Sequence, residues 1–308
     1  MILVIGEILI DLIGKDNNDG IDLTARLGGA PFNVASNLSF LDVPTTFYGV
    51  VGEDIFGEYI LKEAKKSYKL NLNIIKVKDR NTTLATYIKN DNSSEGTFEF
   101  IRKNGSDYYF TKNDLTKIDL SKVNLIHFGS LFLSNEFARN NIFKFIDEAK
   151  SNRKIIFSFD VNYREDIFKG EKDYKNIYLK MIEKMDIVKF TLDEILLLSN
   201  KSSLKEALDY FSYLKLIIVT MGKDGSLAYY KGKRLFMEAL KNIKVVDSIG
   251  AGDSFYSGVI SSLYLKDIDN LSDEDLLKAL KLGSICASKT LMQKGATFAY
   301  KSKKDLII

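Results

Sequence analysis

The chain has 308 residues, enough for one large α/β domain or two small ones with a core that needs no covalent or metal staple. Its 45% hydrophobic and 28% charged content excludes a disordered chain, and its 44 basic and 41 acidic residues are scattered. No basic block singles out nucleic acid as a partner, and the lone Cys286 excludes an internal disulfide and any multi-cysteine metal site.

The N-terminal run Met1-Ile2-Leu3-Val4-Ile5-Gly6-Glu7 lacks the basic start and cleavage site of a secretory leader. Broken at Glu7 and Asp11, it also falls short of the roughly 20 apolar residues of a membrane span. A reducing cytoplasm is the expected location. In chain order, residues 2–5 read as a buried strand. Residues 12–27 follow, with polar turn residues between short β-prone pieces. Helical periodicity covers 32–41 and 57–68, and 84–102 reads as a hairpin, its strands separated by a polar stretch at 90–96. Apolar strands at 125–128, 155–159, 187–190 and 216–220 then alternate with helices at 140–152, 174–184 and 204–214, and a last helix spans 253–264. Such alternation predicts an α/β fold with a mostly parallel central sheet covered on both faces. The pieces at 12–27 and 84–102 interrupt it and predict a small flap outside the main sheet, near the carboxyl ends of its strands where ligands bind.

Two glycine-rich helix starts carry the chemistry. In Asp247-Ser248-Ile249-Gly250-Ala251-Gly252-Asp253, small residues leave backbone N–H groups approachable, and the helix dipole adds positive potential. The turn is suited to a phosphate or to charge developing in phosphoryl transfer. Asp253 is either an N-cap or the general base that accepts a hydroxyl proton. In Gly28-Gly29-Ala30-Pro31-Phe32-Asn33-Val34-Ala35, the glycines permit close backbone approach. Asn33 either offers a donor and an acceptor to sugar hydroxyls or faces solvent beside a tight turn. No Walker-type loop and no protein-kinase catalytic loop is present. His127 is the single histidine and is read as structural, which removes support for phosphohistidine and Ser-His-Asp chemistry.

These two segments, over two hundred residues apart, resemble the N- and C-terminal signatures of the ribokinase-like carbohydrate kinases, also called PfkB, in a form most like the fructokinases. Ser248 stands where threonine is commoner. The resemblance extends over essentially the whole chain. It implies a single three-layer α/β/α kinase domain over 1–308, with a small β lid from strands at about 12–27 and 84–102. It also implies transfer of phosphate from MgATP to a sugar's primary hydroxyl, with Asp253 as base and Gly250, Ala251 and Gly252 as anion hole.

Residue by residue, the resemblance assigns sugar contacts to Asp11, Gly28, Gly29, Asn33 and Asp253. It adds Asn162 and Arg164 of the segment Phe159-Asp160-Val161-Asn162-Tyr163-Arg164, and Arg102 of the lid strand Phe98-Glu99-Phe100-Ile101-Arg102. Without it, Arg164 reads equally as a surface ion-pair partner and Arg102 as an exposed hairpin arginine. Lys189, Thr220, Gly222, Gly225, Gly250 and Gly252 fall to ATP. Glu194 falls to Mg²⁺ through water, in Thr191-Leu192-Asp193-Glu194, where the family commonly has asparagine at the first position. Asp247, with the segment at Gly295-Ala296, falls to a monovalent cation such as K⁺. Fructose is the first-choice acceptor, with 2-keto-3-deoxygluconate and aminoimidazole riboside as rivals. From another class, a sugar-binding regulator that has lost turnover is the alternative. A nicotinamide-dependent oxidoreductase would need a G-x-G-x-x-G turn after the first strand, where Gly6-Glu7-Ile8-Leu9-Ile10-Asp11 stands instead. Lid strands with a free edge also predict a homodimer.

Overall fold

The computed structural model describes all residues except 18–19, 68, 90–95, 153–154, 169–170, 172, 298 and 307–308. Its strands are β1 (Ile2–Ile5), β2 (Leu9–Asn17), β3 (Gly20–Gly28), β4 (Thr45–Gly52), β5 (Asn71–Val77), β6 (Leu84–Lys89), β7 (Gly96–Ile101), β8 (Leu125–Phe128), β9 (Ile156–Asp160), β10 (Ile187–Thr191), β11 (Leu216–Thr220), β12 (Ser226–Tyr230) and β13 (Lys233–Met237). Its helices are α1 (Ala30–Phe40), α2 (Ile55–Ala64), α3 (Lys112–Leu115), α4 (Glu136–Asn152), α5 (Tyr174–Ile182), α6 (Leu192–Ser199), α7 (Leu204–Tyr210), α8 (Ala251–Leu263) and α9 (Asp273–Leu291).

A nine-stranded sheet runs in the order β13-β12-β11-β10-β9-β8-β1-β4-β5. It is parallel except for β12 and β13, which return antiparallel at one edge. Strand periodicity of two sends alternate residues to opposite faces, and both faces are apolar. Leu3, Ile5, Ile126, Phe128, Phe157 and Phe159 bury against the layer of α4, α5, α6 and α7. Ile2, Val4, Leu125, Ile187, Leu216 and Ile218 bury against α1, α2, α8 and α9. No helix among the described residues is long and apolar enough to cross a membrane.

A separate four-stranded sheet, ordered β3-β2-β6-β7, stands beside the large one. Residues 12–27, read as short pieces, belong to two nine-residue strands in continuous antiparallel register from Leu9↔Gly28 to Asn17↔Gly20. Polar residues do not break these strands, because one face of an antiparallel sheet can meet water. The inner face packs Leu9, Ala85 and Leu131 with Phe100 and Ile167. Ile21, Leu23, Phe98 and Ile101 remain exposed. Most of the 90–96 connection lies outside the described residues.

Candidate active site

Parallel strands end on a common edge, and the polar side chains gather there. Gly6 and Glu7 follow β1, Gly129 follows β8, Asp160 closes β9, and Thr191 and Thr220 close β10 and β11. Two helices aim their N-termini at the same place. Gly29 caps α1 at φ 108°, where a side chain's Cβ would lie 2.6 Å from the Glu7 carbonyl oxygen. Gly250 caps α8 at φ 77°, with Ala296 packed so closely that a Cβ would sit 2.3 Å from its methyl. Both positions therefore require glycine.

The predicted halves of the site meet directly. Asn33 Nδ2 donates to Asp253 Oδ2 at 2.7 Å, linking α1 to α8 across 220 residues. Asn33 is buried, not turned to solvent, and its Oδ1 has no protein partner. On the small sheet, the Asp11 carboxylate lies over Gly28, where a Cβ would stand 2.2 Å from Oδ2. Gly252 opens toward the cleft: beyond its own helix, a Cβ there would meet among the described residues only Lys189 Nζ, at 3.9 Å. That ammonium is buried and donates to both oxygens of Asp160, at 2.8 and 3.0 Å. Lys189 and Asp160 face each other in register on adjacent strands, so the ladder fixes the pair beneath the glycine turn.

Burial dominates the acid–base character of the cleft. Asp253 is pushed up to about 6, chiefly by desolvation; the Asn33 bond pulls down and the Asp160 charge pushes up. Asp11 rises to about 7, first through burial and then through the Asp253 charge, with Arg164 opposing. Glu7, buried with neither carboxyl oxygen hydrogen-bonded to another described residue, rises to about 8, chiefly through burial, with its own backbone N–H opposing.

The remaining predicted residues divide into those bonded to protein and those open. Arg102 is anchored: Nε and Nη2 donate to Asp107 Oδ2 at 3.0 and 2.7 Å, Nη1 to Ser134 Oγ, and Nη2 also to the Leu131 carbonyl. The exposed-hairpin reading of this arginine is thereby corrected. It lines a cleft of about 420 Å³ with Phe98, Glu99, Phe100, Lys103, Asp166 and Ile167. Arg164 is exposed, its backbone bonds the Tyr178 hydroxyl, and its side chain forms no ion pair with a described residue. Asn162 adopts φ 35°, and its carbonyl accepts from Ser130 Oγ.

Thr191 caps α6 and forms a reciprocal box with Glu194, whose Oε2 accepts from the Thr191 N–H at 2.7 Å. Glu194 Oε1 accepts from the Tyr163 N–H at 2.8 Å, so the carboxylate ties two strand ends together. Asp247 does the same for the glycine turn, accepting from Ile249 N–H through Oδ1 and from Gly295 N–H through Oδ2, each at 3.0 Å. Thr220 Oγ1 donates to the Phe190 carbonyl. Gly222 and Gly225 take φ 57° and 109° in the turn after β11. No cluster of three or more potential metal-ligating acids, histidines or cysteines occurs among the described residues. His127 is buried against Ser158 Oγ at 3.2 Å.

Sequence reading overlooked Glu7, the Asp160 partner of Lys189, and Asp107. Opposed charges at two apolar strand ends were the available signal for the second of these.

The arrangement, an α/β sheet with an open helix start beside a desolvated carboxylate and a polar cleft, is ribokinase-like and defines a kinase. A family model described as "pfkB family carbohydrate kinase" matches residues 1–303. A protein named ATP-dependent 6-phosphofructokinase, from Thermoanaerobacterium thermosaccharolyticum, is 28% identical over 96% of this chain and 89% of its own length. A probable chloroplastic fructokinase of Arabidopsis thaliana is 30% identical over 98% of this chain and 80% of its own length. Among solved structures, a double-mutant fructokinase from Vibrio cholerae O395, bound to fructose, ADP and a potassium ion, superposes with a TM-score of 0.86 at 25% identity. The two cover 99% of this chain and 96% of that one. The chain belongs to the pfkB family of carbohydrate kinases, and it is a sugar kinase.

Proposed function

We propose that this chain phosphorylates the primary hydroxyl of a sugar with ATP as donor, fructose to fructose 6-phosphate being the first choice. The observation that carries the reading is the 2.7 Å Asn33–Asp253 bond, which joins a hydroxyl-binding amide to a carboxylate beside an open glycine turn. Asp253 takes the proton of the attacking hydroxyl, and being pushed up to about 6 it is ionised at neutral pH yet basic enough for the task. The Gly250 and Gly252 amides, with Lys189 beneath them, meet the charge of the phosphoryl group in transfer, joined by the Ala251 N–H once it turns from its long 3.3 Å bond to the Ser248 carbonyl. Asp11, Gly28, Gly29, Asn33, Asn162, Arg164 and the Arg102-lined cleft form the sugar side. Thr220, Gly222 and Gly225 form the nucleotide side.

Mg²⁺ supplies charge neutralisation on the phosphates when bound. Glu194 keeps a free lone pair on each oxygen for a hydrated ion, which suits Mg²⁺ better than an all-protein cage does. Asp247 is likewise the carboxylate available to K⁺ beside the Gly295 backbone. The small sheet acts as a lid that excludes water. Its exposed Ile21, Leu23, Phe98 and Ile101 support a homodimer through the lid strands, and a monomeric mass in light scattering would refute that. The buried, unpaired Cys286 suits a reducing cytoplasm.

The test is ADP release coupled to a reporter, run with fructose, fructose 6-phosphate, 2-keto-3-deoxygluconate and aminoimidazole riboside. Fructose should give the highest kcat/KM. A higher value for another acceptor removes the fructose assignment, and fructose binding without any ADP release would mark an inactive binder.

A further inference from the structure

Arg26 crosses the cleft. On β3 it stands opposite Asp11 of β2, and two residues before Gly28, so the three share the face of the small sheet that looks into the site. Its half-buried side chain runs across to the far lip, where Nη1 lies 3.3 Å and Cδ 3.9 Å from the position a Gly295 Cβ would take. Gly295 is no peripheral contact. Its N–H is held by Asp247 Oδ2 at 3.0 Å, and the next residue, Ala296, packs directly on Gly250. Arg26 thus joins the small sheet to the loop that backs the glycine turn.

The guanidinium forms no hydrogen bond or ion pair with any described residue. This contrasts with Arg102, whose donors go to Asp107, Ser134 and Leu131. The Asp11 carboxylate opposite Arg26 interacts with it through charge alone, which leaves all five N–H donors of its planar fork, a match for phosphate oxygens, without an acceptor among the described residues. Arg26 is not among the residues lining the cleft at Phe98, Phe100, Arg102 and Ile167. Its position beside Gly295 and the Gly250 turn points to the phosphoryl end.

We propose that Arg26 is a lid-borne ligand of the phosphoryl group in transfer, contacting its oxygens from the side opposite the Gly250–Gly252 amides. This rests on reading that turn as the phosphoryl end of the site. In the step itself, the sugar oxygen forms a bond to the γ-phosphorus as the bond to the bridging β–γ oxygen breaks. The leaving electron pair goes to ADP and the hydroxyl proton to Asp253. Arg26 exchanges no proton and acts by charge and hydrogen bonding alone. Because it is carried by the small sheet, full charge compensation exists only with the lid over the cleft, which ties chemistry to closure.

The experiment compares wild type with Arg26→Ala and Arg26→Lys. Arg26→Ala should lose about 10²-fold in kcat, with the sugar KM changed less than about threefold, since Lys189 and the turn amides remain. Arg26→Lys should recover part of that loss, keeping charge without the fork. Equilibrium binding of MgADP with aluminium fluoride and fructose supplies a second readout. Wild type should bind ADP more tightly with the fluoride complex present, whereas Arg26→Ala should bind ADP and fructose normally and lose that gain. Wild-type kcat and wild-type fluoride tightening in Arg26→Ala overturn the proposal, as does a defect confined to sugar KM. If wild type shows no tightening and Asp253→Asn turns over normally, the reading of the turn itself fails.

Discussion

The two walls of the cleft are built on different principles. On the side of the large sheet and the glycine turn, three charged groups have fixed partners: Lys189 is clamped by Asp160, Glu194 by two backbone N–H groups, Asp247 by two more. On the small sheet, Arg26 forms no hydrogen bond to any described residue and large apolar side chains stay exposed. The first wall is preorganised for charge, which every phosphoryl transfer needs. The second leaves groups open toward the cleft, and the proposed role of Arg26 makes it a contributor to phosphoryl transfer as well.

The largest expected effect comes from breaking the rigid wall. Lys189→Met leaves Asp160 buried without its counter-charge and should destabilise the fold by roughly 3–5 kcal/mol, read as a lower midpoint in denaturant. Retention of wild-type stability would show that the pair is not held as described. Next is Glu7. Burial raises it from 4.5 to about 8, so between those pH values the folded state holds a proton that the unfolded state has released. Its contribution to stability is present below about 4.5 and declines as pH rises through 8, by up to about 1.4 kcal/mol per unit. Glu7→Gln should remove that slope, and urea titrations at several pH values check it.

The pH dependence of catalysis is a third contrast. With Asp253 pushed up to about 6, kcat/KM should fall about tenfold per unit below that pH, as the base becomes protonated. A flat profile down to pH 5 would exclude this group as the titrating base. The smallest effect belongs to Arg102, the anchored arginine beside the small sheet. Arg102→Lys keeps the charge against Asp107 but not the fork, and should raise the sugar KM a few-fold with kcat little changed. A large fall in kcat would move Arg102 to the phosphoryl side.

Much of this was legible in the sequence, unevenly. Glycine-led helix starts announce themselves because only glycine tolerates φ 77° at Gly250 or the approach of Glu7 to Gly29. Strands such as β1 and β11 read clearly because both faces are buried and the apolar run is continuous up to the strand end. The 19-residue α9 escaped notice. A Cβ on Gly258 of α8 would lie 2.8 Å from the Gly283 backbone, and a Cβ on Gly283 2.8 Å from the Phe255 carbonyl oxygen, and such small residues dilute apolar periodicity. The strand β4 escaped for a related reason, being interrupted by Gly49 and ending on Gly52. The Asp160–Lys189 pair needs sheet order and register, which a linear reading does not supply. The anchoring of Arg102 needs Leu131 and Ser134, about thirty residues further along the chain.

The central claim is that Asp253 is the base of a two-part site, and Asp253→Asn tests it most directly. The substitution keeps shape and can keep the contact to Asn33 while removing the proton acceptor. Measured with saturating ATP and fructose, kcat should fall by roughly 10²–10⁴ while fructose affinity, by calorimetry, stays near wild type. Near-normal turnover in the purified, folded variant would contradict the assignment.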